Sequence, residues 1–188
     1  MKRVIITAGP QFAGKSTFCK KAITEFPEIA YVSRDDILNK MFGTAWLDPY
    51  TGLHLAGVAA MWDQVRKKIT EAQNGLTLIL DAWNGSWSER FTFNGRVRSF
   101  GADRVDVWYF VTPARTCYEW SLLREPVTDR TSKWRELTVR EDHQRYHGQR
   151  ILNENLFENI YRIDPTIHEP RQFLERKTEQ LALSYATI

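Results

Sequence analysis

Cysteine and long hydrophobic stretches are both scarce in this sequence, and each shortage excludes a class of protein. Cys19 and Cys117 are the only cysteines among 188 residues. Two cysteines make no disulfide framework, and their separation argues against a zinc-binding pair, so we expect two reduced thiols. No apolar run approaches the ~20 residues that a membrane-spanning helix requires. The short apolar run after the basic start leads into a glycine loop, which predicts a first strand rather than a signal peptide, and a cytoplasmic protein.

The sequence also lacks a large excess of positive or negative charge. The formal net charge is +3, and the isoelectric point is near 8.9. This mild positive charge permits an anionic substrate but does not demand nucleic acid. The sequence has no internal repeats or low-complexity segments, and 43% of its residues are hydrophobic. These features predict one domain over residues 1–188, with no membrane contact and no sign of an obligate protein partner.

Strand and helix patterns alternate along the chain. Strands are predicted at 3–8, 29–33, 76–81, 105–111 and 159–163. Helices are predicted at 15–26, 35–42, 55–73, 88–100, 113–124 and 170–185. This alternation predicts an α/β fold, a parallel sheet of about five strands flanked by helices. The most charged region follows the last of the central helices and predicts a small helical lid at approximately 124–150.

A phosphate-binding loop lies between the first strand and the first helix. Residues 9–16, Gly-Pro-Gln-Phe-Ala-Gly-Lys-Ser, match the pattern G-x-x-x-x-G-K-[ST]. Successive backbone N–H groups and the helix N-terminus favour phosphate there, Lys15 reaches the β- and γ-phosphates, and the Ser16 hydroxyl ligates Mg²⁺. The pattern therefore predicts ATP and Mg²⁺ as cofactors. The predicted cofactor-binding residues are Gly9, Gln11, Ala13, Gly14, Lys15, Ser16 and Thr17.

Phe12 is unusual inside this loop, where small residues are common. A left-handed backbone would strain a phenylalanine. Either the loop avoids that conformation, or the ring packs on a neighbour that compensates.

A carboxylate beyond the second strand favours a kinase over other nucleotide-binding classes. The chain lacks the Asn-Lys-x-Asp motif that reads guanine and is short for a motor ATPase. Asp35 follows the second strand, at the sheet edge where ligands bind, and is predicted to act as general base for an acceptor hydroxyl. The alternative is a helix cap, the role that we predict for its neighbour Asp36.

Further charged residues complete the predicted site. Asp81 ends the buried third strand, where a carboxylate holds Mg²⁺ or its waters. The alternative for Asp81 is a hydrogen bond to local backbone. Arg124 and Arg130 flank a proline in the predicted lid and are predicted to clamp the transferring phosphoryl group. The alternative for both arginines is a solvated surface.

These residues together resemble the kinase domain of phage polynucleotide kinase and its relatives, over roughly residues 1–150. The shared features are the loop and Thr17, the Arg34-Asp35-Asp36 triplet, Asp81 with Asn84 and Ser88-Glu89-Arg90, and the lid arginines. The resemblance implies that Asp35 is the general base, that Lys15 and Ser16 bind ATP and Mg²⁺, and that Arg124 and Arg130 contact the phosphates. It also implies a nucleic acid substrate, contacted by Arg34, and the host cytoplasm as location if a phage encodes the chain.

The chain departs from that family on the acceptor side. The family commonly has an arginine three residues after the base, where it holds the phosphate next to the accepting 5′-hydroxyl, and here that residue is Leu38. Trp46, Trp83 and Trp87 are predicted to lie in loops near the strand ends, where they either stack on bases or cover the edge of the core. Trp62 is predicted in the core.

Three functions stay open at this point. The first is a kinase for a nucleic acid hydroxyl, either a 5′-end or the hydroxymethyl group of 5-hydroxymethyluracil in DNA, which phage kinases similar in plan phosphorylate. For this function Trp83 and Trp87 are predicted substrate contacts, and DNA is the predicted partner. The second is a kinase for a nucleoside, nucleotide or other metabolite. The third is a nucleotide-binding switch or regulatory ATPase without an acceptor.

Overall fold

Five parallel strands form the centre of the computed structural model, which describes residues 1–73, 75–124, 132–147 and 151–174. The strands are Lys2–Ala8 (β1), Ala30–Ser33 (β2), Leu76–Asp81 (β3), Arg104–Phe110 (β4) and Asn159–Ile163 (β5). They form one sheet in the order β2-β3-β1-β4-β5. The predicted α/β fold is therefore confirmed, and each predicted strand lies within one residue of its observed bounds.

Helices connect successive strands and cover both faces of the sheet. They are Lys15–Glu25 (α1), Arg34–Phe42 (α2), Gly52–Glu71 (α3), Trp87–Ser99 (α4), Ala114–Leu122 (α5), Ser132–His147 (α6) and Arg171–Leu174 (α7). A short 3₁₀ helix spans Ile151–Asn153. Of the closing helix predicted at 170–185, residues 175–185 lie outside the described part. No helix among the described residues is both long and apolar enough to cross a membrane.

Alternation along the strands produces two hydrophobic layers. Val4 and Leu78 point to the layer that α3 and α4 cover, whereas Ile5 and Ile79 point to the layer that α1 and α5 cover. Because both faces are buried, the central strands are continuous apolar runs rather than alternating ones. Trp62, predicted in the core, is buried in the first layer and packs edge-on against Phe93.

The strand register brings the ends of β1, β2 and β3, and the loops that follow them, to one edge of the sheet. Ile6 of β1 pairs with Leu80 of β3, and Ser33 of β2 pairs with Asp81. Ala8 of β1 pairs with Tyr109 of β4. The residues that follow β1, β2 and β3 therefore leave the sheet side by side, which is where parallel α/β sheets bind ligands.

The start of α2 differs from the expectation. Ser33 is the N-cap, and its hydroxyl accepts the Asp36 N–H at 3.1 Å. Asp36, predicted as the cap, instead lies in the first turn. A serine that ends a strand in extended conformation already has the backbone angles that an N-cap needs, so the cap lies one residue before the helix. Asp35 and Asp36 together place two carboxylates at the positive end of the helix dipole.

Leu38 is fully buried beneath α3. A Cβ on Gly57 would lie 2.1 Å from the Leu38 Cδ2 atom and 3.1 Å from its Cγ atom. Only glycine therefore lets α3 approach α2 so closely. This packing keeps Leu38 away from solvent, so this position does not contact a substrate.

The approach of α3 to Leu38 predicts that two helical glycines respond to alanine in opposite directions. Gly57→Ala should lower the free energy of unfolding by about 1–3 kcal/mol, because a buried leucine must move. Gly95→Ala in α4, where a Cβ meets nothing within 4 Å, should raise it by about 0.5–1 kcal/mol. Urea denaturation followed by circular dichroism measures both changes. Equal stabilisation by the two substitutions would contradict the close approach.

Candidate active site

Two glycines shape the predicted phosphate-binding loop through close contacts. A Cβ on Gly9 would lie 2.8 Å from both Cβ and O of Phe110, and Gly9 has φ 142°. A Cβ on Gly14, at φ 79°, would lie 2.8 Å from the Trp120 ring. The loop therefore packs directly on the end of β4 and on α5. These contacts fix the backbone conformation of the loop on the side that faces β4 and α5. Gly14 is also the N-cap of α1.

Lys15 lies over the loop that precedes it. Its Nζ atom donates to the carbonyl oxygens of Gly9 at 3.0 Å and Pro10 at 2.6 Å. Burial lowers the pKa of Lys15, whereas the carboxylates of Asp81, Asp142 and Asp35 raise it. Lys15 is thus a positive charge held at the mouth of the loop and surrounded by three acids.

Phe12 adopts the strained conformation, and its ring has compensating neighbours. It is the one non-glycine residue with a positive φ in the described part of the chain, at 60°. The ring is buried in the layer that contains Phe18 and Phe110. The Arg124 guanidinium lies over its outer side, 5.4 Å from the ring centroid. Of the two expectations for Phe12, the structure has the one in which packing compensates the strain.

Asp81 is a buried residue at the end of β3, and each of its carboxylate oxygens accepts a hydrogen bond from a hydroxyl group. Thr7 Oγ1 donates to Oδ1 at 3.0 Å, and the Tyr31 hydroxyl donates to Oδ2 at 3.0 Å. These partners are side chains of β1 and β2, not the local backbone of the alternative expectation. Each carboxylate oxygen keeps acceptor capacity for a further partner. Burial, with Asp81 as a further cause, raises the pKa of Tyr31 far above its usual value, so the phenol remains a donor.

Asp35 lies at the exposed side of the same region. Its side chain is 53% exposed, and Oδ1 accepts from Arg34 Nη2 at 2.7 Å and Nε at 3.0 Å. Asp36 instead accepts from Lys20 of α1 at 3.1 Å. Arg34 therefore orients the Asp35 carboxylate while one of its oxygens remains available to a ligand.

One cleft of about 310 Å³ brings most of the predicted site residues together. Its walls include Gln11, Ala13, Gly14, Lys15, Ser16, Arg34, Asp35, Asp81, Trp83 and Arg124. Four of its lining side chains are cationic and three are carboxylates; the cations are Lys15, Lys20, Arg34 and Arg124. Gly9 and Thr17 belong to the adjoining loop and helix. Arg130 lies outside the described residues, so its predicted role stays a prediction.

The three loop tryptophans are not equivalent. Trp46 and Trp83 line the cleft. Trp87 begins α4, is 52% exposed and stacks on Phe91 with ring centroids 5.2 Å apart. It is not among the described residues that line the cleft, so its predicted substrate contact has no support from this geometry.

Helix α6, in the predicted lid, packs beside the cleft. The Asp142 carboxylate accepts the Gln11 backbone N–H at 3.0 Å, and Trp134 packs edge-on against Trp46 at 6.2 Å. Arg145 lies over the Trp83 ring at 5.4 Å. Burial raises the pKa of Asp142, while the bond to Gln11 and the charge of Arg145 oppose that rise. One helix thus contacts both the phosphate-binding loop and the two cleft tryptophans.

A second cavity of about 310 Å³ adjoins the loop on the side of α1. Trp120, Pro165 and His168 line it, together with Phe12 and Arg124. Arg124 therefore borders both this cavity and the cleft. Buried Arg135 fixes its backbone by donating to the Arg124 carbonyl from Nη1 and Nη2 at 3.3 Å each.

Sequence reasoning did not find several of these contacts. Asp142, Trp120 and His168 lie far from the loop in sequence and match no motif. The one available signal was the clustering of charge and aromatic residues in the predicted lid, which marked α6 but not the particular residues.

Comparison with known proteins identifies the family. A sequence-family model described as an AAA domain matches residues 4–148, and the chain belongs to this family. No curated protein sequence matches the chain. The family and the fold support a phosphotransferase of the P-loop kinase class, a class that binds ATP and usually Mg²⁺, and leave its acceptor open.

Solved structures share the fold at low identity. A candidate kinase from Chloroflexus aurantiacus J-10-fl has 14% identity and a TM-score of 0.67, covering 93% of this chain and 95% of that one. A chain of the Pnkp1/Rnl/Hen1 RNA repair complex has 19% identity and a TM-score of 0.60, covering 82% of this chain and 50% of that one. Shikimate kinase from Bacteroides thetaiotaomicron has 11% identity and a TM-score of 0.56, covering 96% and 98%. This chain therefore spans about half the length of the repair-complex chain.

The strained backbone at Phe12 predicts an inverted order of two substitutions. Phe12→Ala and Phe12→Gly both remove the buried ring, but only glycine also relieves the left-handed conformation. Phe12→Gly should therefore be more stable than Phe12→Ala, by up to about 1 kcal/mol. Urea denaturation of the two variants measures the difference. If Phe12→Ala is instead more stable than Phe12→Gly by the margin usual in helices, Phe12 does not have a φ of 60°.

Proposed function

We propose that this chain is an ATP- and Mg²⁺-dependent kinase that transfers the γ-phosphoryl group to a hydroxyl of nucleic acid. The acceptor is either a polynucleotide 5′-hydroxyl or the hydroxymethyl group of 5-hydroxymethyluracil in DNA. The observation that carries the proposal is the shared cleft: Lys15, Ser16 and Asp81 line the donor side, and Asp35 lines the acceptor side.

The donor side suits a nucleoside triphosphate with Mg²⁺. The two glycine contacts fix the loop backbone, whose N–H groups suit phosphate, and the cavity at Trp120 and Pro165 suits the base. Ser16 and Asp81 would hold Mg²⁺, Asp81 directly or through water; when bound, the ion neutralises charge on the phosphates. This donor set fits magnesium, because a hydroxyl and a carboxylate are the oxygen ligands that Mg²⁺ prefers.

The acceptor side supplies a base for the transfer. The acceptor oxygen attacks the γ-phosphorus, the bond from that phosphorus to the β–γ bridging oxygen breaks, and the hydroxyl proton passes to Asp35. Lys15 and Arg124 place positive charge where charge develops on the transferring group. Arg34 keeps the Asp35 carboxylate in the cleft through its two hydrogen bonds.

Two tryptophans in the cleft support an acceptor that carries a base. Trp46 is 41% exposed and Trp83 half-buried, so both present ring surface for stacking. The likeness in fold to a chain of an RNA repair complex agrees with nucleic acid. Because Leu38 is buried against Gly57, the family's phosphate-holding arginine has no counterpart at that position. This replacement favours recognition of a base over recognition of the flanking phosphate, as an extruded 5-hydroxymethyluracil would require.

A small-molecule kinase is the second candidate. The observation that favours it is the modest cleft volume, which suits a nucleoside or another metabolite. The likeness in fold to shikimate kinase agrees with such a substrate.

A labelling panel separates the candidates. The protein is incubated with Mg²⁺ and γ-labelled ATP beside 5′-hydroxyl oligonucleotides, duplex DNA containing 5-hydroxymethyluracil, or free nucleosides and shikimate. Label in either nucleic acid supports the proposal and identifies its acceptor. Label in a small molecule alone supports the second candidate, and label released only as inorganic phosphate indicates a regulatory ATPase.

Two adjacent carboxylates provide a matched test of the base. Asp35→Asn should lower turnover by roughly 10²–10⁴-fold through loss of general-base catalysis, with ATP binding retained. Asp36→Asn removes only the exposed pair with Lys20 and should change turnover by less than about fivefold. Single-turnover rates with saturating ATP measure both effects. Near-normal turnover in Asp35→Asn rejects the assignment.

A further inference from the structure

A third cavity, of about 380 Å³, lies beside the cleft and is not used by the proposed transfer. It opens at the carboxyl ends of β4 and β5, and Pro10 of the phosphate-binding loop forms part of its wall. Helix α6 and the 3₁₀ helix cover it. Its other lining residues are Tyr109, Phe110, Val111, His143, Tyr146, Ile151, Leu152, Asn153 and Arg162.

Aromatic rings connect this cavity to the cleft. Trp83, which lines the cleft, packs edge-on against Tyr146 with ring centroids 6.1 Å apart. Tyr146 in turn lies 6.4 Å from Tyr109, with the two rings inclined by 30°. Tyr146 is buried and Tyr109 half-buried, and both line the cavity. A continuous row of three rings therefore leads from the acceptor side of the cleft into the cavity.

Arginines lie at both ends of this row, and the one at the cleft end, Arg145, also pairs with Asp142 at 3.7 Å. Arg145 lies over Trp83 at the cleft end, and Arg162 lines the cavity at the other end. Arg162 is exposed, and no salt bridge joins it to a carboxylate among the described residues. The cavity walls contain no carboxylate within that part of the chain. The surroundings therefore favour an anion with a planar ring.

We propose that this cavity binds a nucleotide of a single-stranded polynucleotide acceptor whose reacting end lies in the cleft. The inference rests on the proposed function and assigns the acceptor as a chain of several nucleotides. The base stacks against Tyr109, and Arg162 pairs with a phosphate. Rows of aromatic rings interleaved with arginines are how proteins hold single strands without reading their sequence. The volume of the cavity lies in the range of small-ligand sites and suits one nucleotide.

Acceptor length is the variable that tests the cavity. Single-stranded 5′-hydroxyl oligodeoxythymidylates of two and eight nucleotides are compared as acceptors and, with a 3′ fluorophore, as ligands in anisotropy titrations. We expect the eight-nucleotide strand to have the higher kcat/KM by at least about tenfold, through a lower KM. Arg162→Ala and Tyr109→Leu should reduce that ratio about five- to tenfold, in line with losing one stacked or paired nucleotide.

The salt dependence of binding provides a second readout and a control. Removing one phosphate contact to a single strand should lower the slope of log K against log salt concentration by about 0.7 in Arg162→Ala. Arg66→Ala, which removes an exposed arginine of α3 paired with Asp63, changes net charge equally and should leave the slope and the length ratio unchanged.

The outcomes separate this inference from the function on which it rests. A length preference that both cavity variants abolish supports the cavity as a nucleotide site. Phosphorylation of both strands without length preference, or with a preference that the variants leave intact, overturns the inference but not the proposed function. Absence of both labelling and binding of single strands overturns the inference; label in duplex DNA containing 5-hydroxymethyluracil then retains the proposed function, and no label in either nucleic acid overturns both.

Discussion

A buried carboxylate at the end of the third strand holds together the edge of the sheet that carries the site. Asp81 accepts hydroxyl hydrogen bonds from Thr7 of β1 and Tyr31 of β2, so one side chain ties three neighbouring strands at the sheet edge that carries the site. Two neutral donors do not cancel a buried negative charge, and a cation nearby is required. Lys15 meets part of that requirement, since Asp81 is the largest of the charges that oppose the lowering of its pKa by burial. For the function proposed above, the same imbalance would favour Mg²⁺ beside the phosphates, so the interaction that orders the strand ends would also prepare the donor side.

Helix α6 couples the other parts of the site. Its residues contact the phosphate-binding loop through Asp142 and the acceptor side through Trp134 and Arg145. These contacts lie on a single helix, so a movement of α6 changes the loop and both cleft tryptophans together. Among the described residues the cleft lining contains none from α6, so the helix acts on the cleft through these contacts rather than as part of its wall.

Local patterns were sufficient to predict the strands and the loop, and insufficient for the contacts between distant segments. Runs such as Leu76–Asp81 are apolar because both faces are buried, and that property is visible in the sequence. The phosphate-binding loop is equally local, since its chemistry requires particular residues at adjacent positions. The bond from Gln11 to Asp142 joins residues 131 positions apart, and the burial of Leu38 depends on a glycine in another helix. The cap at Ser33 was missed for a different reason: a strand-ending serine and a first-turn aspartate are both good caps by composition, and backbone geometry decides between them.

The burial of Leu38 has a consequence for how an acceptor is held. Removing a cation from that position leaves Arg34 and Lys20 on the acceptor side, and both are already paired, with Asp35 and Asp36. A paired cation offers an incoming phosphate less net attraction, so for the function proposed above recognition near the reacting hydroxyl would pass to Trp46 and Trp83. Stacking depends weakly on salt, whereas phosphate pairing depends strongly on it, and neither reads the identity of the base. Arg162, which forms no salt bridge to another described residue, lies instead beyond the ring row. For the function proposed above, the acceptor side would separate two tasks: aromatic rings would position the reacting unit, and charge would act on the chain behind it.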